Sequence, residues 1–345
     1  MSRVYIFVYG VVKSKEPVRF AAGGIDNLAV DSLSHDGVAA LVSRTPFMSF
    51  EAFSKEALLS NLARYQAVLE KVMDVCQVLP VKYGTFLPDE EVLRAVLAAD
   101  QAEVLDHFER MRQKLELDVV VLWQNLPGLL AEIGATPEIV GLKRNATEIV
   151  APEAATEHRL VVGKMVKEML DSRSRRRASE VLDALNPWVD ECLPHPLMDD
   201  TMIMNTAFLL KRQNRQAVED CLERLDQSYG QSMLFRLVGP LPPYSFCTLE
   251  IQQPDIRQIL EAGKTLGLGK EATALEIREA YWRLTKAFHP DLFPGDKAVQ
   301  TRFETIARAY RTLCDNCRDD RICFEERPAG GWGRIRRMKP CVPDG

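Results

Sequence analysis

Residues 273–291 read TALEIREAYWRLTKAFHPD, and most of what the chain's C-terminal third becomes is decided in that stretch. Thr273 and Glu276 have the spacing of a capping box, each side chain placed to satisfy an orphan backbone N–H, so a helix starts there. Apolar residues recur at Ile277, Ala280, Tyr281, Leu284 and Phe288, a stripe along one helical face. Pro290 ends the helix, because it lacks an N–H and disfavours a helical residue before it. Pro294 and Gly295 hold the next residues in a loop. Beyond the loop, Phe303, Ile306, Ala307, Tyr310 and Leu313 repeat the stripe. Two such helices joined by a short loop predict an antiparallel hairpin that buries its apolar faces and leaves His289, Pro290 and Asp291 in water.

The segment from about Leu266 to Asp315 resembles the J-domain of DnaJ-type co-chaperones. The likeness runs through LGL at 266–268, EIREAYWRL at 276–284, FHPD at 288–291, PGD at 294–296 and RFETIARAYRTL at 302–313. The resemblance implies that His289, Pro290 and Asp291 contact a DnaK-type ATPase chaperone and stimulate its ATP hydrolysis. Arg283 and Lys286, on the preceding helix, would then face that partner.

The whole chain has 345 residues, enough for two or three domains. A net charge of −5 with 46% hydrophobic residues gives no overall attraction to nucleic acid or to an anionic membrane. No stretch reaches membrane-spanning length, and Met1 to Lys13 lacks the order of a secretory signal, so a cytoplasmic location is expected. Eight cysteines, widely scattered, read as thiols in a reducing compartment. Cys314 and Cys317 form a CxxC pair with Cys323 and Cys341 downstream, which makes them weak candidates for a structural zinc. The tight spacing of a second pair is missing, and Cys314 reads equally as a small apolar residue on the last helix. No metal and no cofactor are therefore expected.

The body of the chain reads as α+β. Val4 to Tyr9 is an unbroken apolar and aromatic run closed by Gly10, as in a central strand buried on both faces. Val38 to Val42 is a second strand, followed by an amphipathic helix from about Ser54 to Cys76 with Leu58, Leu62, Tyr65, Leu69, Val72 and Cys76 on one face. Val78 to Phe86 is β-prone, Pro88 is placed to open a helix, and Leu117 to Trp123 reads as a strand that closes a first domain near residue 125. A long polar helix spans Glu153 to Leu185. Its basic run, Arg173 to Arg177, has acidic neighbours, as a solvated face does. Met202 to Leu210 and Met233 to Val238 read as strands around a helix marked by Val218, Cys221, Leu222, Leu225 and Tyr229. The predicted organisation is 1–125 and 126–252 as two α+β domains, 253–327 as the helical module, and 328–345 as a disordered tail.

Gly239-Pro240-Leu241-Pro242-Pro243-Tyr244-Ser245-Phe246 follows the last strand. Three prolines fix φ and remove three donors, giving a rigid corner that sets two aromatics in place. With YIFVYG at 5–10, LPVKYGTFLPDEEV at 79–92 and MNTAFLLKR at 204–212, this corner carries a resemblance to the gas vesicle protein family GvpL/GvpF, over about residues 3–250. Leu241 stands where family members often have Trp. The likeness implies a ferredoxin-like N-terminal domain, a second α+β domain with a long helix, and an accessory role in gas vesicle formation. The partners implied are the hydrophobic GvpA-type shell protein and other gas vesicle proteins. Gly239, Pro240, Pro242, Pro243, Tyr244 and Phe246 form either a partner surface or a packing corner. A shell subunit exposing apolar surface aggregates unless it is held, and a free sheet edge is one way to hold it.

Enzymatic patterns fail at identifiable positions. The start of a phosphate loop ending in Gly263-Lys264-Thr265 would fall at Gln258, and Ser245 lacks nucleophile-elbow glycines. The five histidines, His35, His107, His158, His195 and His289, form no paired metal motif on a helix. A non-enzymatic adaptor is expected, with a vesicle component whose hairpin is uncoupled from a chaperone, or a general co-chaperone, as the other readings.

Overall fold

A computed structural model of the chain describes residues 4–14, 20–46, 54–147, 152–252, 256–293, 295–317, 320–324 and 334–338. The chain divides into two compact units, Met1–Glu109 with Leu249–Met338, and Arg110–Thr248.

In the first unit, β1 (Val4–Val12) is central, and from Ile6 onward every residue of it is buried. The sheet is completed by β2 (Phe20–Gly23), β3 (Ala29–His35), β4 (Val38–Pro46), β5 (Val78–Pro80) and β6 (Phe86–Leu87). Its order is β2-β3-β4-β1-β5, with β6 also on β1, and all pairs are antiparallel. Helix α1 (Lys55–Met73) starts at Ser54, whose side chain accepts the Ala57 N–H, and buries Tyr65, Val68, Leu69 and Val72. The predicted face therefore holds, with Leu58 and Leu62 only half-buried at its outer end. Tyr9 is buried, so its hydroxyl needs partners. It accepts the Ile25 N–H at 2.9 Å and lies 2.9 Å from Ser43 Oγ, which donates onward to Ala29 O. Asp89 rather than Pro88 starts α2 (Glu90–Ala99), its carboxylate accepting the Val92 N–H; α3 (Gln101–Arg110) follows.

The second unit is built on β7 (Lys114–Trp123), α4 (Leu126–Gly134), α5 (Pro137–Thr147), α6 (Pro152–Leu185), β8 (Glu191–Pro194), β9 (Met202–Lys211), α7 (Arg215–Tyr229) and β10 (Met233–Leu241). Its sheet order is β10-β7-β9-β8, antiparallel throughout. With helices between β7 and β8 and between β9 and β10, this is the βαββαβ arrangement of ferredoxin-like folds. The α+β class holds for both units, and the strict ferredoxin-like strand order expected in the N-terminal domain is seen in the second unit. The N-terminal sheet departs from that order because β2, β3 and β4 run on from β1 with no intervening α-helix. The strand predicted to close the first domain near residue 125 opens the second sheet instead, because its ladder partners are β9 and β10. Helix α6 packs Leu170, Val181 and Leu185 into the core of this sheet, and the buried Trp123 indole donates to Ser174 Oγ at 3.0 Å.

The chain returns to the first unit through β11 (Leu249–Gln252), α8 (Ile256–Leu266), β12 (Glu271–Thr273), α9 (Ala274–Ala287), α10 (Lys297–Asn316), β13 (Arg321–Cys323) and β14 (Arg334–Arg337). The three helices bury Ile259, Leu266, Ile277, Ala280, Ile306 and Leu313 together, with Ile322 of β13. Tyr281 stacks on Tyr310 with centroids 4.2 Å apart. The hairpin predicted from two stripes is thus a three-helix module.

The tail expected to be disordered is corrected at 334–337, where β14 pairs with β11. Alternation explains it: Ile335 is buried, opposite Ile251, and its N–H donates to Asp100 Oδ2 at 2.6 Å. The rest of 328–345, apart from Met338, lies outside the described residues, Cys341 included.

Candidate functional site

The exposed handle is built by the end of α9. The capping box is present: the Glu276 N–H donates to Thr273 Oγ1 at 3.2 Å and the Thr273 N–H to Glu276 Oε2 at 2.7 Å. The helix stops after Ala287, and Pro290–Leu292 form a single 3-10 turn capped by His289. The Asp291 N–H points at His289 Nδ1, 3.3 Å away. The same Nδ1 lies 3.4 Å from Asp291 Oδ2. The side chains of His289 and Asp291 are 47% and 87% exposed, so neither is spent on the core. Phe303 holds the His289 ring edge-on at 5.6 Å, and Arg302 covers Phe288 at 4.2 Å, which fixes the loop against α10. Arg283 and Lys286, one turn apart on α9, are both exposed and lead into the loop. The geometry is therefore an ordered His-Pro-Asp turn with a donor, an acceptor and a basic approach all facing solvent.

The proline corner is placed differently. Pro242, Pro243 and Phe246 are buried, Pro240 and Tyr244 half-buried, and the chain turns through Cys247 N–H to Pro243 O at 2.8 Å. Gly239 has φ +131, and a Cβ there would stand 2.8 Å from Leu117 Cδ2 and 3.0 Å from Glu116 O. Gly239→Ala is accordingly expected to cost about 2 kcal/mol or more, read as a lower urea midpoint with an unchanged slope.

Glu116 fastens this corner and was not visible as a site residue in the sequence. It is 1% exposed on β7; the Ser245 N–H donates to its Oε2 at 2.8 Å, and Ser245 Oγ lies 2.7 Å from Oε1. His195 Nε2 is 3.3 Å from the same Oγ. Burial, reinforced by the Asp118 carboxylate, pushes the Glu116 carboxyl up to about 8. Burial raises Asp118 as well, with His195 working against it. Ser245 is thus engaged as a clasp. The signal available was Glu116 and Asp118 alternating inside the otherwise apolar strand LELDVVVLW, since a carboxylate there needs a partner.

Three of the four arginines in the basic run on α6 are in ion pairs. Arg173 meets Glu132 at 3.4 Å, and Arg176 and Arg177 share Glu180 at 3.1 and 2.7 Å. These three arginines line a cavity of about 520 Å³ with Trp123 and Gln231. Of the four cysteines named as weak zinc candidates, Cys341 lies outside the described residues. Cys314 is exposed, not part of the apolar face where it was placed, because Leu313 takes the buried position. Cys317 is half-buried, and Cys323 is described only in its backbone. Among the described residues no group of three or more His, Cys, Asp or Glu has the arrangement of a metal site. No helix among them is long and apolar enough to cross a membrane.

The chain is thus an α+β body carrying a small helical module with an exposed His-Pro-Asp turn. Residues 5–248 match the family described as gas vesicle synthesis protein GvpL/GvpF, and residues 264–320 match the DnaJ domain. The chain belongs to the GvpL/GvpF family and carries a C-terminal DnaJ domain. It is 24% identical over 249 residues to gas vesicle protein F of Nostoc sp. (strain PCC 7120 / SAG 25.82 / UTEX 2576), covering 71% of this chain and 98% of that protein. Over 52 residues it is 52% identical to the mitochondrial DnaJ homolog 1 of Schizosaccharomyces pombe, 15% of this chain and 10% of that one. The crystal structure of GvpF from Anabaena sp. PCC7120 superposes with a TM-score of 0.60 at 24% identity, over 71% of this chain and 98% of that one.

Proposed function

We propose that this protein is a cytoplasmic, non-enzymatic assembly factor: its GvpF-like body holds the hydrophobic gas vesicle shell protein, and its DnaJ domain brings a DnaK-type ATPase to that client. The observation that carries the reading is the His289-Pro290-Asp291 turn, ordered yet exposed, on a module whose chain ends both return to the ribbon of β11 and β14. Asp291 is 87% exposed, its Oδ2 3.4 Å from His289 Nδ1, so the charged end of the turn is accessible to a partner. The client side rests on family membership and on physical need, since shell subunits with exposed apolar surface aggregate before they assemble. Neither nucleic acid nor a membrane is called for as a partner.

Affinity capture of the tagged full chain from a vesicle-forming host tests this. Shell protein and a DnaK-type chaperone should both be recovered. Shell protein without chaperone, together with co-sedimentation on intact vesicles, would make it a structural component instead. Chaperone with a broad set of unfolded clients would make it a general co-chaperone.

A further inference from the structure

An apolar client needs a surface to hold it, and the second unit offers a specific place. β10 is the end strand of its sheet: β7 pairs with one side, and among the described residues no strand pairs with the other. An uncovered edge presents a row of backbone N–H and C=O groups, and folded proteins usually blunt such edges by shortness, charge or proline. β8, at the opposite end of the sheet, is blunted in all three ways, with four residues that include Glu191 and Pro194. In the other sheet β2 has four residues and an irregular register, and β5 has three, its continuation at Val81 being bridged to Leu249.

β10 is blunted only in part: it carries one charge, Arg236, and near its end Pro240 with an irregular register beyond Val238, but ahead of that proline it is long and apolar. It runs nine residues, and Leu234, Leu237 and Val238 are 37%, 37% and 51% exposed. Arg236 lies among them, exposed and with no ion pair or hydrogen bond among the described residues. The placement of that cation bears on what the edge accepts. A second copy pairing antiparallel about Arg236 would set two guanidinium groups opposite each other, and pairing about a neighbouring position would set each against an apolar side chain. Like charges directly opposite across a ladder are unfavourable, and opposite charges are favourable.

We infer that the outer edge of β10 holds the client by strand addition, accepting an extended apolar segment that carries an acidic residue facing Arg236. Backbone pairing supplies the affinity, Leu234 and Val238 on one face with Leu237 on the other supply apolar contact, and the ion pair sets the register. This rests on the client-binding reading and names its surface.

The test uses the full chain with purified shell protein, following amide hydrogen exchange across residues 233–241 together with binding by Arg236→Glu and Arg236→Lys variants. Exchange in β10 should slow when shell protein is added. Arg236→Glu should weaken binding by about tenfold or more, while Arg236→Lys stays within about threefold of the parent. Both variants should melt with the parent, since the side chain is exposed. Shell protein that binds while β10 exchange and both variants are unaffected would overturn the inference and leave client binding standing. An absence of any shell binding by the parent would overturn the client reading itself. Protection of β10 that grows with protein concentration alone would assign the edge to a second copy and overturn the inference too.

Discussion

Replacing His289→Gln is expected to bring stimulation of a DnaK-type ATPase down to background, a loss of about thirtyfold or more, while shell-protein binding stays at the parental level. The size follows from the position of the ring. A partly exposed side chain at the tip of an ordered turn, backed by Phe303, is placed as a central contact, and truncating such anchors costs about 2 kcal/mol or more. Glutamine keeps a donor and an acceptor but not their fixed angle across a planar ring, and it lacks the edge that rests on Phe303. Stability should barely move, within about 0.5 kcal/mol, because His289 adds nothing to the module's core. Single-turnover ATPase measurements beside a shell-protein pull-down read both quantities. Equal loss of both would mean that the two activities are not separable.

The second large effect concerns pH. Glu116 holds its proton up to about pH 8 when folded, against an ordinary carboxyl value of 4.5 in the unfolded chain. Between those values the folded state binds more protons than the unfolded state, so stability must fall as pH rises. The slope approaches about 1.4 kcal/mol per pH unit at full proton difference, and it levels off above the folded value. Glu116→Gln retains an acceptor for the Ser245 N–H and offers the Ser245 hydroxyl an amide in place of the second oxygen, but it has no proton to lose. Urea midpoints of the parent should therefore drop between pH 5 and pH 9 relative to those of the variant, by an amount equivalent to a few kcal/mol, about two to four. Parallel curves would show that Glu116 is already ionised at neutral pH in the folded state. The Asp118 carboxyl is coupled to Glu116, so the difference reads the loss of the Glu116 charge together with its effect on Asp118.

These two sites differ in how far the sequence announced them. The His-Pro-Asp turn was legible because every determinant is local: the capping box, two periods of 3.6 and a breaking proline lie within about one helix length of each other. β1, α6, β9 and α7 were legible for the same reason, a local signal: an unbroken apolar run in β1 and β9, a long polar stretch without breakers in α6, and a helical stripe in α7. The corner at 239–246 could be read as rigid, yet its anchor could not be read at all, since Glu116 lies 129 residues from Ser245. Assigning β7 to the wrong sheet has the same origin, because a strand's apolar pattern states that it is buried without naming its partner. β11 and β14 were missed because strands of four residues carry too few positions to show a period. Their pairing is also decided by Ile251 and Ile335, more than eighty residues apart.

That last ribbon has a mechanical consequence. The chain leaves for the helical module after Gln252 and comes back at Arg334, and these two residues are partners in the ladder. A pull applied through the module by an engaged chaperone would therefore load the ribbon at its open end, peeling rungs one at a time instead of shearing them together. Two short strands loaded that way yield at low force, well before β1 and its neighbours feel the strain. Such a pull would first lengthen the tether, and the rest of the unit would stay folded while it did.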